Sequence, residues 1–238
     1  CLSLGEKGLE MIKRGEFQRN LLHKLQVLTL CFHIGSDVFP YEILQLAPNI
    51  ENLVVYDASF KEIFCCQSPN VDYTGLLQET LEVICSSLKD LVPVTVSFSN
   101  LTYLQVERCN CLLYLFTSST AKSLTRLKRM EIESCDSIEE IVSKERDESH
   151  ENEIIFKQLN CLILKRLPML RSFYRGSLLS LPSLEELSVI DCDWMETLCP
   201  GTLKADKLLE VLFDEQSSYA IKLENGLTST MRQSFLAK

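Results

Sequence analysis

The sequence predicts an α/β solenoid, in which short parallel strands stack along one face and irregular loops and short helical turns form the opposite side. Three observations predict it: 41 of the 238 residues are leucine, glycine is scarce at 8, and apolar residues recur in a repeated unit. A hydrophobic fraction of 46% and a charged fraction of 24% are typical of a folded globular chain. The net charge of −9 argues against nonspecific binding to nucleic acid, which requires clustered Lys and Arg.

The clearest repeated unit has the form L-x-x-L-x-L-x-x-C-x-x-L-x-x-L, with exchanges among apolar residues. Copies begin at Leu101, Leu127, Leu159 and Leu184, and the third copy has Leu167 at the cysteine position. Weaker copies begin at residues 25, 50, about 78 and 208, so the mean spacing is about 26 residues. A period of about 20 to 29 residues with this pattern is typical of leucine-rich repeats.

Each L-x-L core has a period of two, which indicates a short strand with one buried face. One strand cannot bury that face alone, so stacked units form a parallel sheet on the concave face of a horseshoe. We expect Cys109, Cys135 and Cys192 at a buried corner, because a thiol is small, apolar and a weak donor. Near residue 78 the spacing from Val83 to Cys85 is one residue shorter than usual, which leaves the geometry of that coil and the continuity of the sheet open.

The pattern divides the chain into three parts. Residues 1–24 form a lead-in segment or a degenerate repeat, residues 25–213 form about eight repeats, and residues 214–238 form a C-terminal cap or linker helix. The segment 143–153 is charged and has no apolar periodicity, so it is either a solvated convex-side loop or a partner-binding acidic finger. Because the first residue is Cys1 and not Met, we expect the sequence to be part of a longer protein.

Motifs and composition favour neither catalysis nor a cofactor. The sequence has no HExxH, GxSxG or GxGxxG motif, and His23, His33 and His150 lie in unrelated contexts. The eleven cysteines contain no CxxC pair, and adjacent Cys65 and Cys66 are interpreted as packing residues, so we expect reduced thiols in a cytoplasmic protein. No apolar run approaches the roughly 18 residues of a membrane span. We therefore expect no enzyme activity, no catalytic residue, no metal and no cofactor.

The strand positions that do not point into the core are predicted to form a protein-binding surface on the concave face. They combine aromatic, aliphatic and oppositely charged side chains, a mixture that suits a protein partner. The predicted partner-binding residues are Tyr56, Tyr103, Gln105, Glu107, Arg108, Arg129, Glu131, Glu133, Ile163, Lys165, Ser188 and Ile190. The same surface includes Thr29, Val54, Arg166, Asp191 and Asp214. Tyr56 and Tyr103 are the expected anchors, because aromatic side chains contribute most per residue at interfaces.

Five separated segments carry a resemblance to a known family. They are TSSTAKSL at 117–124, IEEIV at 138–142, ASFKEIF at 58–64, DVFP at 37–40 and KLENGL at 222–227. Over about residues 15–238 the chain resembles the leucine-rich-repeat region of plant intracellular coiled-coil, nucleotide-binding disease-resistance proteins. The resemblance implies that the region binds a pathogen effector or a guarded host protein, and that it helps to hold the parent chain's nucleotide-binding domain inactive. The family's P-loop motif, GxxxxGK[ST], does not occur in this sequence.

Two other classes of repeat protein fit the same architecture. One is a substrate-recruiting leucine-rich-repeat domain of a ubiquitin ligase adaptor, which an F-box-like helical segment would precede. The other is an extracellular receptor ectodomain, which the glycosylation sequon at Asn100 favours and the irregular repeat spacing disfavours. A P-loop module upstream would instead favour the immune-receptor hypothesis.

Overall fold

A computed structural model of the chain describes residues 1–16, 19–31, 39–63, 79–91, 98–145, 153–208, 210–213 and 221–222. The strands in chain order are β1 Leu2–Leu4, β2 Val27–Cys31, β3 Asn52–Tyr56, β4 Thr80–Ile84, β5 Tyr103–Glu107, β6 Phe116–Thr117, β7 Arg129–Glu133, β8 Glu140–Ser143, β9 Glu153–Ile155, β10 Cys161–Lys165, β11 Ser172–Tyr174, β12 Leu178–Ser180, β13 Glu186–Ile190, β14 Thr202–Lys204, β15 Glu210–Leu212 and β16 Ile221–Lys222. The helices are α1 Glu6–Lys13, α2 Arg19–Leu22, α3 Tyr41–Leu46 and α4 Ser118–Ser123.

One large sheet runs through this described part of the chain, with the strand order β1-β2-β3-β4-β5-β7-β10-β13-β15-β16. Its neighbours are parallel, except that β15 and β16 are antiparallel. Each of the eight predicted repeats contributes one strand, and β1 adds another from the lead-in segment. The predicted leucine-rich-repeat solenoid is therefore confirmed, whereas the division of the chain at residues 24 and 213 stays a prediction.

Alternation of buried and outward residues gives the main sheet its two faces. In β5, Leu104 and Val106 are fully buried, whereas the intervening Gln105 is half-buried. The register places Met130 of β7 and Leu162 of β10 in line with Leu104, and both are fully buried. The apolar side chains of successive coils therefore stack into one continuous core.

The rest of each coil contains more strand than the sequence predicts. Two short parallel sheets, β11-β8-β6 and β14-β12-β9, lie outside the main sheet, together with α4 and the connecting loops. In four coils a buried apolar residue lies six positions after the buried corner residue. The corner residues are Cys109, Cys135, Leu167 and Cys192, and the residues six positions later are Leu115, Ile141, Phe173 and Leu198. Stacking at these positions aligns extended backbone of neighbouring coils, and paired N–H and C=O groups then form strands where loops were expected.

A residue in the left-handed region directly follows β3, β5, β7, β10 and β13. The residues with φ between 50° and 54° are Asp57, Arg108, Ser134, Arg166 and Asp191. This conformation costs an ordinary residue about 1–2 kcal/mol. A hydrogen bond that extends the ladder offsets part of the cost, since the Arg108 N–H donates to the Glu133 carbonyl at 3.1 Å and the Arg166 N–H to Ile190 at 2.9 Å.

The coil that contains β4 lacks this left-handed residue, and the sheet is nevertheless continuous. Strand β4 ends at Ile84, and Cys85 follows at once as the buried corner residue. In the next coil, one left-handed residue separates β5 from Cys109. Strand β4 pairs in register with both neighbours, with Val83 beside Val106. The shorter Val83–Cys85 spacing therefore removes only the left-handed residue and leaves the hydrogen-bonded ladder intact.

The corner cysteines form a hydrogen-bonded column. The backbone N–H of Cys85 donates to the Cys109 Sγ at 3.4 Å, and the N–H of Cys109 donates to the Cys135 Sγ at 3.3 Å. The Cys85 thiol donates in turn to the Ala58 carbonyl at 3.0 Å. Burial raises the pKa of Cys85 to about 11, so this thiol keeps the proton that it donates. The predicted burial of Cys109, Cys135 and Cys192 at the corner is confirmed.

The charged segment 143–153 is described only at its two ends. At the first end, Glu145 accepts hydrogen bonds from the Ser119 N–H at 3.3 Å and from the Ser119 hydroxyl at 2.9 Å. Burial raises the pKa of Glu145, but the hydrogen bonds lower it more, so the net shift is downward. The predictions that lie outside the described residues concern 146–152, 224–236, Cys65, Cys66, His33, His150 and Asp214.

Candidate protein-interaction surface

The surface of the main sheet that faces away from the core consists of the first, third and fifth residues of β2, β3, β4, β5, β7, β10 and β13, and is called the open face below. Register aligns these residues in three rows, in which neighbouring strands lie about 4.8 Å apart. The first row is Val27, Asn52, Thr80, Tyr103, Arg129, Cys161 and Glu186. The third-position row is Thr29, Val54, Glu82, Gln105, Glu131, Ile163 and Ser188. The fifth-position row is Cys31, Tyr56, Ile84, Glu107, Glu133, Lys165 and Ile190.

Eleven of the twelve predicted partner-binding residues lie in these rows, and the twelfth, Arg108, is the left-handed residue directly after β5. Arg166 and Asp191 occupy the same corner position in their own coils. Tyr56 is the most exposed aromatic side chain of the open face, at 45%. The residues therefore share one surface, whereas their contact with a partner stays a prediction.

Two of the predicted residues do not offer contact area. Ser188 and Ile190 of β13 are buried, at 4% and 2% exposed, so they offer a partner almost no surface, and their predicted contact with one stays untested. Ser188 is short and lies in register between the larger Ile163 and Leu212, while Ile190 lies beside the long aliphatic stem of Lys165. In β13 only the first residue of the strand is exposed, so the accessible part of the open face ends near β10.

A polar cluster joins three strands of the open face. Arg129 of β7 pairs with Glu131 on the same strand and donates from Nη1 to the Cys161 Sγ on β10 at 3.0 Å. The Cys161 thiol donates to the Glu186 carboxylate on β13 at 3.1 Å, and this carboxylate lies 3.8 Å from Arg129 Nη1. The cluster fixes Arg129 across neighbouring coils, so its guanidinium is pre-positioned at the centre of the face.

Two further arginines pair with carboxylates at the corner edge of the face. The Arg108 guanidinium lies 2.7 Å from the Glu107 carboxylate, and Arg166 pairs with Glu133 and donates to the Ser134 hydroxyl at 3.0 Å. The side chains of Arg108 and Arg166 are 64% and 49% exposed. Exposed pairs of this kind contribute about 0–1 kcal/mol, so a partner can exchange them for its own contacts at little cost.

The repeats match the family model described as plant disease resistance protein RPS2-like, leucine-rich repeats, over residues 75–213. That span is more than half of the chain. The chain belongs to this family of RPS2-like repeats. The matched residues include every strand from β4 to β15 and thus most of the open face. No curated protein and no solved structure matches the chain.

Leucine-rich repeats of plant disease resistance proteins indicate a protein-interaction role in defence. Among the described residues, no group of three or more His, Cys, Asp or Glu side chains is arranged to hold a metal ion. Glu131 and Glu133 lie on the same face of β7, and each pairs with a different arginine. The described helices include none that is long and apolar enough to cross a membrane.

The buried thiol of the open face is unsuited to nucleophilic chemistry. Burial, together with the Glu186 carboxylate, raises the pKa of Cys161 to about 12. A cysteine acts as a nucleophile in its thiolate form, which this environment disfavours. The contacts of Cys161 with Arg129 and Glu186 therefore hold side chains in place and do not activate the sulfur.

The phenol of Tyr103, on the open face of the RPS2-like repeats, has a raised pKa. Its hydroxyl donates to the Gln105 Oε1 at 2.8 Å. Burial first, and then the nearby carboxylates of Glu131 and Glu82, raise the pKa of Tyr103 to about 12. The phenol is thus neutral and a donor at every physiological pH.

This raised pKa predicts a titration that belongs to Tyr103. The phenol keeps its proton in the folded state, so its contribution to stability is complete below pH 10 and is lost as the pH rises from 10 through about 12. Phenolate absorbance of the native chain minus that of Tyr103→Phe should show one group titrating near pH 12. Glu131→Gln should move this step downward. A difference spectrum that titrates near pH 10 would contradict the burial of Tyr103 and the effect of the Glu131 and Glu82 carboxylates on it.

Among the residues of the open face that the sequence analysis did not name are Glu82 and Ile84. Both lie on β4, the strand of the degenerate repeat, and both are half-buried. The signal was present, because Leu81 and Val83 are the inward residues and the residues between and after them must face outward. The altered spacing of this repeat affects the residues after β4 and leaves the strand itself intact.

Proposed function

We propose that the open face is the partner-binding surface of a plant immune receptor and recognises a pathogen effector or a guarded host protein. The observation that carries the proposal is the alignment of aromatic and charged side chains from β3 to β10 on one surface of a chain with RPS2-like repeats. Tyr56 and Tyr103 supply aromatic area, and three exposed or half-exposed arginines supply polar contacts that rearrange easily.

The proposal extends to the parent protein. We assign the chain to the coiled-coil, nucleotide-binding class of receptors, located in the cytoplasm, and place a second, intramolecular partner in its nucleotide-binding domain. Contact with that domain would help to hold the nucleotide switch inactive until the external partner binds. The family match supports this reading over that of a ubiquitin ligase adaptor, because the matched repeats are those of disease resistance proteins.

A pulldown with the purified 238-residue chain tests the proposal. Extracts from healthy and infected plants, and the parent's nucleotide-binding domain, are offered to the native chain and to a variant with Tyr103→Ala, Glu131→Lys and Glu133→Lys. We expect capture by the native chain and loss of capture by the variant. Capture that is indifferent to the three changes, or no capture by a folded chain, would contradict the proposal.

A control variant carries the same three types of change away from the open face. Trp194→Ala, Glu153→Lys and Glu196→Lys replace one exposed aromatic residue and two exposed carboxylates. The net charge of the two variants is identical, so a general effect of charge on binding alters both equally. The control variant should capture the partner as the native chain does.

A further inference from the structure

The open face changes character along the solenoid. The outward positions of β2 and β3 carry no charged side chain, namely Val27, Thr29, Cys31, Asn52, Val54 and Tyr56. From β4 to β7 the outward positions carry four carboxylates, Glu82, Glu107, Glu131 and Glu133, against the single cation Arg129. The corner residues Arg108 and Arg166, together with Arg129, offset three of these carboxylates. The face therefore presents an uncharged region beside a charged one, and Glu82 on β4 lies at the boundary.

Glu82 differs from the other three carboxylates in its partners. Glu107, Glu131 and Glu133 each pair with an arginine. Within the part of the chain that the structure describes, Glu82 forms no ion pair. The Glu82 carboxylate nevertheless acts on a neighbouring group of the open face, because its charge contributes to the raised pKa of Tyr103.

The neighbours of Glu82 are apolar on one side. Register places Val54 beside Glu82, and Tyr56 beside Ile84, so two neighbouring strands surround one carboxylate with three apolar or aromatic side chains. The Glu82 side chain is already half-buried. A partner that covered this group without supplying a cation would leave a desolvated, unpaired carboxylate, which is strongly unfavourable.

We infer that the open face takes a partner segment in which an apolar or aromatic side chain lies next to a lysine or arginine. The apolar group packs on Val54, Tyr56 and Ile84, and the cation pairs with Glu82. Further basic residues of the segment extend towards β5 and β7, where Arg108 and Arg166 can release the carboxylates of Glu107 and Glu133. This inference rests on the proposed function and adds to it the charge and polarity of the partner.

Selection from a random twelve-residue peptide library displayed on phage tests the inference. The baits are the native 238-residue chain, the Glu82→Lys variant, and a control with the same charge change off the open face, Glu153→Lys. Peptides enriched on the native chain and on the control should combine aromatic or aliphatic residues with Lys or Arg. Synthetic copies should bind Glu82→Lys at least about tenfold more weakly, and Glu82→Gln should lie between.

The outcomes separate the inference from the proposed function. The enriched peptides are also offered to the variant with Tyr103→Ala, Glu131→Lys and Glu133→Lys. Peptides that lose binding to this variant but show no excess of Lys or Arg, or that bind Glu82→Lys as well as the native chain, overturn the inference and leave the open face as a binding surface. Peptides indifferent to every change on the open face, or no enrichment above empty beads, count against both. Equal thermal unfolding of Glu82→Lys and the native chain establishes that a loss of binding is not a loss of fold.

Discussion

Replacing Leu162 with alanine is expected to lower the free energy of unfolding by about 2–5 kcal/mol. Leu162 is fully buried at the centre of β10, in register between Met130 and Leu187. Removal of three methyl or methine carbons there leaves a cavity in a column that passes through every coil, and the flanking strands are held by the ladder and cannot close it. Urea denaturation followed by circular dichroism measures the change.

The next residue on the same strand is the matched control. Ile163 is as apolar as Leu162 but lies in the third-position row of the open face and is half-buried. Ile163→Ala should therefore cost much less than Leu162→Ala, because little cavity forms on an open surface. Equal losses for the two variants would contradict the alternation from which the open face is defined.

Replacing Cys109 with alanine is expected to cost about 1–3 kcal/mol of unfolding free energy. The Cys109 Sγ accepts the backbone N–H of Cys85 at 3.4 Å and donates to the Glu107 carbonyl at 3.4 Å. Alanine removes both interactions, and the buried N–H of Cys85 is left without its partner. Measured against denaturant, the transition of Cys109→Ala should move to a lower midpoint with an unchanged slope.

An exposed cysteine of the same coil provides the comparison. Cys111 lies two residues after Cys109 and is exposed. Cys111→Ala removes the same thiol from the same coil without touching the column, so its midpoint should equal that of the native chain. If Cys109→Ala is as harmless as Cys111→Ala, the thiol column does not stabilise the corner.

Much of the fold follows from the repeat alone. The spacing of Leu104 and Val106 has period two, so the outward residue between them, Gln105, could be assigned without a structure. Repetition of that spacing fixes the parallel order of the coils, because each unit buries its apolar face only against its neighbours. The same reasoning places eleven of the twelve predicted residues on one surface, and a left-handed corner adds Arg108.

Other features depend on tertiary contacts that a spacing does not encode. The burial of Ser188 and Ile190 arises from what surrounds β13, although their positions within the strand equal those of Gln105 and Glu107. The short sheets outside the main sheet form only where stacking brings extended segments of neighbouring coils side by side. The pairing of Arg108 with Glu107 and of Arg166 with Glu133 depends on the side-chain conformations, which the spacing of residues along a strand does not determine.

The most direct test of the binding surface is hydroxyl-radical footprinting of the chain with and without the partner captured in the pulldown. The exposed side chains offer reactive reporters on and off the open face: Tyr56 on it, and Trp194 and Met169 away from it. We expect oxidation of Tyr56 to fall when the partner binds, while oxidation of Trp194 and Met169 is unchanged. Protection of Trp194 and Met169 with Tyr56 still fully reactive would contradict the assignment of the open face as the site of recognition.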